Sequence, residues 1–430
     1  MFTPQADRIE RELVDHTAAE LFSEDLMLPA VEGRWLANVP ATAAALLGTS
    51  IPGIEPPLPD AYWRPLEGDV RRVIVVLLDA LGYRHLRRMH EAGEGGAWET
   101  LARSGVLLPI TSVFPSTTNA ALCTLGTGRA PLSHGMFAYE MWLREYGVLT
   151  QMLTIKPVYA KGPETLLSWG FDPERFLAVP GVGEWLREHG IASRTMVPRQ
   201  FTRGTLTRMC YRGFDEVIGY INADDMWAHT AHALQRESAA KSYTFVYWGG
   251  VDTAMHQHGG AGGYWQGQYR GVTASFEREF LARLRPEDRD GTVVIMIADH
   301  GFVDTPLNQV HTVAHNPVLS EALAVPFSGE SRAAFLHCRD GGSDETRRRI
   351  ATSLGDGFRV ASTKEVVQAG LFGRGAPCAE ATSRLGNLIV AARGERSLDR
   401  SDAIRGPRGR HGGLTPEEML VPWLAARLDL

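Results

Sequence analysis

The sequence predicts an α/β fold: a mostly parallel central sheet with helices on both faces and a small inserted cap. Two observations carry this reading. From Arg71 onward, short β-branched apolar runs alternate with helical stretches, the pattern of a parallel sheet buried on both sides. Several of those runs end abruptly at a carboxylate or an imidazole, the edge where open α/β sheets collect ligands. At 430 residues and 44% hydrophobic content the chain can bury a large core.

Taken in order, residues 1–70 mix Pro, Gly and polar residues around modest helical patterns such as that from Ala41 to Leu47, and are expected to form an N-terminal arm packed on the main domain. Residues 71–430 are expected to form the catalytic domain. Strands are expected at 73–78, 106–110, 192–197, 243–248, 292–298, 333–337 and 387–391. Residues 182–189 and 264–284 read as amphipathic helices, the second with Val272, Phe276, Phe280 and Leu284 at helical spacing and therefore core-facing. The stretch at about 138–176, rich in Trp, Tyr, Gly and Pro, suits an irregular insertion over the sheet's active edge. The basic segments GRGAP and IRGPRGRHGG read as exposed loops.

Composition excludes several classes. Lys plus Arg total 44 against 50 for Asp plus Glu, a net charge of -6, so there is no basic excess to hold duplex DNA or RNA. The first residues, MFTPQADRIERELVDH, lack a basic segment followed by an apolar one, and the longest apolar run, from Val73 to Leu78, is far too short for a membrane span. A cytoplasmic protein is expected. Cys123, Cys210, Cys338 and Cys378 are scattered, with no CxxC pair, and read as reduced thiols.

The chemistry concentrates at strand ends. Asp79 follows VIVVLL; Asp252 follows FVYWGG, with His256 four residues on; Asp299 and His300 follow VVIMIA; and His411 stands in the loop GRHGGLTPEEM. Singly, an Asp at a strand end is an ordinary turn or cap former. Jointly, three aspartates and three histidines carry more negative charge than one buried site tolerates without cations. Mixed oxygen and nitrogen ligands suit zinc first, with manganese or iron as alternatives.

A further element is VFPSTTNAALCTLGTGRAPLSHG, where Ser116, Thr117 and Thr118 open an Ala- and Leu-rich helix. Hydroxyl residues there are ordinarily N-caps. A helix N-terminus also offers free N–H groups and a positive dipole end to a phosphoryl oxygen and to a nucleophile's alkoxide.

With these residues in view, the chain resembles the alkaline phosphatase superfamily and, within it, the type I phosphodiesterase and nucleotide pyrophosphatase family. The resemblance rests on DALG at 79–82, FPSTTNAALCTLGTG at 114–128, PLSHG at 131–135, DTAMH at 252–256, ADHG at 298–301 and HGGLT at 411–415, in the family's order. It implies an alkaline-phosphatase-like fold and a metal-dependent phosphoester hydrolase acting through a covalent phosphothreonine. Asp79, Asp299 and His300, with the nucleophile Thr118, would bind one divalent ion; Asp252, His256 and His411 would bind the other, both most simply Zn2+, with Mn2+ as the alternative. Thr118 is chosen by counting nine residues back from Thr127, and Thr117 and Ser116 stay open as alternatives one or two positions away.

Where nucleotide-cleaving relatives follow the nucleophile with Phe-Pro-Asn, this chain has Asn119-Ala120, and Tyr139 stands near the position of a phosphate-contacting Asn. Asn119 and Tyr139 are therefore the candidate substrate-binding residues. The expected partner is a small-molecule phosphoester, a nucleotide among the candidates; phosphomonoesterase, phosphonate hydrolase and phosphoryl transferase are the alternatives on the same scaffold. His311 and His315 read as outer-sphere or loop residues, and His85, His90 and His134 as structural. Of the aromatics near the motifs, Phe114, Phe137, Tyr139, Trp142, Trp227 and Trp248, most read as packing residues.

Overall fold

The computed structural model of the chain describes residues 2–236, 241–400 and 407–429. Seven strands form the central sheet: β1 (Arg72–Leu78), β2 (Val106–Thr111), β3 (Ala192–Pro198), β4 (Glu216–Tyr220), β5 (Ser242–Trp248), β6 (Thr292–Ile297) and β7 (Leu420–Arg427). Their order is β2-β7-β6-β1-β5-β3-β4. The pairs β6–β1, β1–β5, β5–β3 and β3–β4 are parallel, and β7 runs antiparallel between β2 and β6. Strands β1 and β6 are buried along their whole length, which is why they read as unbroken apolar runs rather than alternating ones. Helices such as Tyr83–Glu91, Gly96–Ser104, Val182–Glu188 and Ala223–Arg236 flank the sheet.

Register sets the site. Leu78 pairs with Trp248 and Leu77 with Ile297, so the carboxyl ends of β1, β5 and β6 finish level with one another. The residues that follow them leave the sheet at one edge.

Strands β4 and β7 escaped the sequence reading. β4 is the sheet's half-exposed edge and carries a glycine. β7 contains Pro422, ordinarily a mark against a strand interior, yet Pro422 lies opposite Pro109 of β2, so both prolines fall where the ladder loses least.

The runs at 333–337 and 387–391, expected in the main sheet, belong to a second one. There Ala333–Leu336 and Leu388–Ala392 pair antiparallel within an order Phe358–Ser362, Leu388–Ala392, Ala333–Leu336, Ser328–Gly329, Glu140–Leu143, Val148–Gln151, Lys156–Pro157. Leu388–Ala392 is covered on both faces, so periodicity cannot tell it from a parallel strand. The stretch at about 138–176 is correspondingly more regular than expected. Its first part is a hairpin closed at Gly147, which takes a positive φ of 61°, and its strands form the outer half of this second sheet.

The helix expected at 264–284 holds from Tyr264 to Ser275 and then widens into a π turn, Phe276–Phe280, before a short 3-10 turn at Leu281–Arg283. Phe276 stacks on Trp98 at 4.4 Å, and Phe280 packs against Trp227 at 5.8 Å. All four core-facing residues of the expected stripe are buried.

Residues 2–70 share the main core through Ala6, Ile9, Leu13, Trp35 and Val39. They also brace the site's edge: Thr111 N–H donates to Arg34 O at 2.9 Å, Ala30 N–H to Thr111 Oγ1 at 2.9 Å, and Met27 N–H to Leu414 O at 2.9 Å.

Candidate active site

Each of the six acidic and imidazole residues reaches the same sheet edge. Asp79 directly follows β1, and its backbone N–H donates to Trp248 O at 2.9 Å. Asp252 and His256 lie one helical turn apart on the helix Gly250–His258, which starts just past β5. Asp299 and His300 follow β6, and His411 follows the short strand Gly409–Arg410. Asp252, His256 and His411 each present a ligand atom within 4.8 Å of the others, and so do Asp79, Asp252 and His300.

Hydrogen bonding fixes which atoms face inward. His256 Nδ1 lies 2.9 Å from Gly409 O, His300 Nδ1 3.0 Å from Gly301 O and His411 Nδ1 3.0 Å from Ser116 O. A carbonyl oxygen only accepts, so each Nδ1 carries the proton and each Nε2 offers a bare lone pair.

Those lone pairs face carboxylate oxygens. His256 Nε2 is 3.2 Å from Asp252 Oδ1, and His300 Nε2 is 3.5 Å from both Asp79 Oδ1 and Asp299 Oδ2. Each of these three oxygens is buried without a hydrogen-bond partner, whereas Asp79 Oδ2 accepts from Tyr247 at 2.6 Å and Asp299 Oδ1 from Ala80 N–H at 3.1 Å. Acceptors converging on acceptors are repulsive unless a cation lies between them, and carbonyl-anchored histidines beside carboxylates are the donor set of divalent metals. The residues fit two such ions, with Asp252 within reach of both clusters.

The protonation energetics agree. Burial, with Asp299 and Asp252 alongside, pushes the Asp79 carboxyl well above the usual carboxylate range. Burial likewise raises Asp299, and it raises Asp252 to about 6 against the pull of His256. Burial depresses His300 to about 3 and also lowers His411, leaving both rings neutral.

The three hydroxyls divide their work. Thr118 opens the helix Thr118–Thr127, and its Oγ1 lies 3.2 Å from His300 Nε2, at the mouth of the acidic cluster. Thr117 is the N-cap residue by backbone but makes no side-chain cap bond, and it lines the same cleft as Glu330. Ser116 is fully buried and donates to Gly413 O at 2.8 Å. The sequence reading chose Thr118 and kept Thr117 and Ser116 as alternatives; in the structure the hydroxyl of Thr118 is the one bonded to the imidazole-carboxylate cluster.

Beside the cluster lies a cleft of about 450 Å3, lined by Thr117, Thr118, Asn119, Tyr139, Glu330 and Arg410 among others. Asn119 is buried, and neither its Oδ1 nor its Nδ2 has a partner. Tyr139 is half-buried, with its hydroxyl pushed up to about 12 by burial and by Glu140 and Glu330. Glu330 accepts from Tyr139 N–H at 2.6 Å, and burial raises its carboxyl to about 8. A larger hollow of about 1010 Å3 opens on the far side of His256, past Asp304 and Asn308.

Sequence reasoning missed Glu330, Arg332, Glu418 and the pair Arg410–Asp399. Arg332 and Glu418 form a fully buried bidentate ion pair, Nε–Oε1 at 2.6 Å and Nη2–Oε2 at 2.9 Å. One signal was readable: Thr415 and Glu418 have capping-box spacing, and the box is present. Nothing local marks a Glu or Arg for burial, because that depends on a partner distant in sequence.

The remaining histidines lie outside both ligand clusters. His134 bridges Thr124 Oγ1 at 3.0 Å and Met136 N–H at 3.1 Å, pinning the helix to the following turn. His85 packs edge-on against Trp265, His311 against Phe358, and His90 lies 3.3 Å from Glu99. Of the six aromatics near the motifs, Tyr139 lines the cleft; Phe114, Phe137 and Trp227 are core residues, and Trp248 stacks on Tyr220. Arg374 of GRGAP is exposed and pairs with Glu32, whereas residues 404–406 of IRGPRGRHGG lie outside the described residues.

The fold is that of the alkaline phosphatase superfamily. Murine ectonucleotide pyrophosphatase/phosphodiesterase 5, in an inactive form in complex with AMP, superposes with a TM-score of 0.64 at 14% identity, over 83% of this chain and 88% of that one. Human ectonucleotide pyrophosphatase/phosphodiesterase 5 gives 0.62 at 14% identity, over 82% and 87%. Phosphonoacetate hydrolase from Sinorhizobium meliloti 1021, in complex with phosphonoformate, gives 0.60 at 18%, over 82% and 89%. No curated protein sequence matches the chain. The model of the type I phosphodiesterase / nucleotide pyrophosphatase family matches residues 73–414, and the chain belongs to that family of phosphoester hydrolases. No helix among the described residues is long and apolar enough to cross a membrane.

Proposed function

We propose that the protein is a two-zinc phosphodiesterase in which Thr118 attacks phosphorus and carries the phosphoryl group covalently. The observation that carries this reading is the placement of Thr118 Oγ1, at a helix N-terminus and 3.2 Å from His300 Nε2. Asp79, Asp299, His300 and Thr118 would hold one cation, and Asp252, His256 and His411 the other. When bound, the pair supplies charge to lower the barrier for deprotonating an alcohol and for releasing an alkoxide.

The chain's own residues do the rest. Thr118 Oγ1 forms the bond to phosphorus while the bond to the ester oxygen breaks, giving a phosphothreonine and a free alcohol. Free N–H groups at the start of the helix Thr118–Thr127 and the unpartnered amide of Asn119 hydrogen-bond the non-bridging oxygens. Water then enters on the side the alcohol left, its oxygen bonding phosphorus as the Thr118 Oγ1–P bond breaks and Oγ1 regains a proton, and two in-line displacements retain configuration at phosphorus. Tyr139 is half-buried on the wall of the same cleft, placed to contact the retained substituent.

A diester is favoured over a monoester by charge. Among the described residues lining the cleft, Arg410 is the one Lys or Arg, and Asp399 neutralises it through Nη1 and Nη2, leaving no free cation for a dianionic phosphoryl group. Residues 71–430 act as the catalytic domain, with 1–70 as its packed arm. The test is steady-state hydrolysis of bis-p-nitrophenyl phosphate beside p-nitrophenyl phosphate on protein of known metal content. Preference for the diester with two zinc ions per chain is expected; two bound zinc ions with preference for the monoester would overturn the assignment.

A further inference from the structure

The mechanism leaves Ser116 unused, yet it is fully buried and more densely bonded than its neighbours. Its Oγ donates to Gly413 O at 2.8 Å and accepts from Gly412 N–H at 3.2 Å, and its backbone O accepts from His411 Nδ1 at 3.0 Å. Three consecutive residues of one loop thus hang on a single residue two positions before the nucleophile.

The far side of that loop is held by Glu418. Its carboxylate accepts from Gly413 N–H at 2.8 Å and from Thr415 Oγ1 at 2.7 Å while paired with Arg332. Its backbone O accepts from Gly301 N–H at 2.7 Å, next to His300. Gly301 itself has no room for a side chain: an added Cβ would lie 1.9 Å from Glu417 O.

We infer that Ser116 and Glu418 form a two-sided clasp that sets His411 against the nucleophile turn, making Ser116 a positioning residue for the Asp252–His256–His411 site. Ring orientation follows from the clasp. The His411 ring lies flat on His300, 3.7 Å between centroids and 11° between planes, so a rotation at Gly412 would swing Nε2 away from Asp252. Ser116→Ala removes the Oγ bonds to Gly412 and Gly413 and keeps the Ser116 O–His411 Nδ1 bond, so the expected loss is about 10-fold, the lower end of what an outer hydrogen bond contributes to metal affinity.

This inference rests on the two-metal reading above, and its test separates the two. Ser116→Ala is compared with the wild-type enzyme by zinc competition against a chromophoric chelator and by diester turnover as a function of free zinc. The expected result is a weaker second zinc by about 10-fold, a kcat restored by excess zinc and an unchanged KM. Thr415→Val, which removes one donor to Glu418, is read in the same way and decides the matter if Ser116→Ala does not fold. Zinc curves superimposable on wild type would overturn the clasp while leaving the phosphodiesterase intact. An inactive Ser116→Ala with wild-type zinc affinity would also overturn it, by making Ser116 a chemical participant. A wild type binding no zinc would sink the two-metal reading itself.

Discussion

Stripping the metals should change the protein's coupling to protons in a countable way. Burial, with Asp299 and Asp252 alongside, holds the Asp79 carboxyl well above 3.8, so the metal-free folded protein releases that proton at a higher pH than the unfolded chain does. A raised folded pKa contributes stability that is complete below the unfolded value and is lost as pH rises through the folded one. His300, depressed to about 3, and His411, also depressed, work in the opposite sense, but only below their unfolded value of 6.5. Above pH 6.5 the carboxylates therefore stand alone. One retained proton corresponds to about 1.4 kcal/mol of stability lost per pH unit in metal-free protein. Glu330, raised to about 8, lies outside the ligand set and tilts metal-free and metal-loaded protein alike, so the difference between the two isolates the site. Denaturant unfolding from about pH 6.5 to 8.5, with and without zinc, gives that difference. Calorimetry of zinc binding in two buffers of different ionisation enthalpy gives the proton count, expected to be above zero. Parallel stability curves, or zinc binding that releases no proton, would refute the reasoning.

Thr118→Ala should lower diester turnover by about 10³-fold or more with two metals still bound, and Thr118→Ser should restore a measurable part, both read in steady-state assays with metal analysis. Tyr247→Phe removes the 2.6 Å bond to Asp79 Oδ2 and should weaken zinc binding by about 10- to 100-fold in chelator competition while leaving the fold intact. Arg332→Met leaves Glu418 as an uncompensated buried charge and should cost about 3–5 kcal/mol in denaturant unfolding, more than any surface ion pair of this chain.

The central sheet and the acidic and imidazole residues at its edge were legible because both are written locally. An apolar run ending in Asp marks a covered strand and its edge at once, as β1 and β6 show; after β5 the Asp comes four residues later, on the helix that follows. What local pattern could not assign was pairing. Ala333–Leu336 and Leu388–Ala392 are apolar like the central strands, but they pair antiparallel with one another although Asp344–Leu354, Phe358–Ser362 and further helices lie between them in sequence. Pro422 disguised β7, and the hairpin at 140–151 was hidden among aromatic and glycine residues that resemble loop composition. Motif spacing had picked out Thr118 and the six acidic and imidazole residues that the structure brings to one edge, whereas Ser116, Glu330 and Arg332 make contacts with residues far away in sequence, 86 positions apart for Arg332 and Glu418 and 191 for Glu330 and Tyr139. The Ser116–Gly413 bond, spanning 297 residues, is of that kind.

The most direct test of the central claim is to trap the covalent intermediate. Enzyme turning over bis-p-nitrophenyl phosphate is quenched in acid, digested and mapped by mass spectrometry. The expected result is a phosphoryl ester on Thr118, absent from Thr118→Ala; a modification on Ser116 or Thr117 instead, or no modified residue during turnover, would contradict double displacement through Thr118.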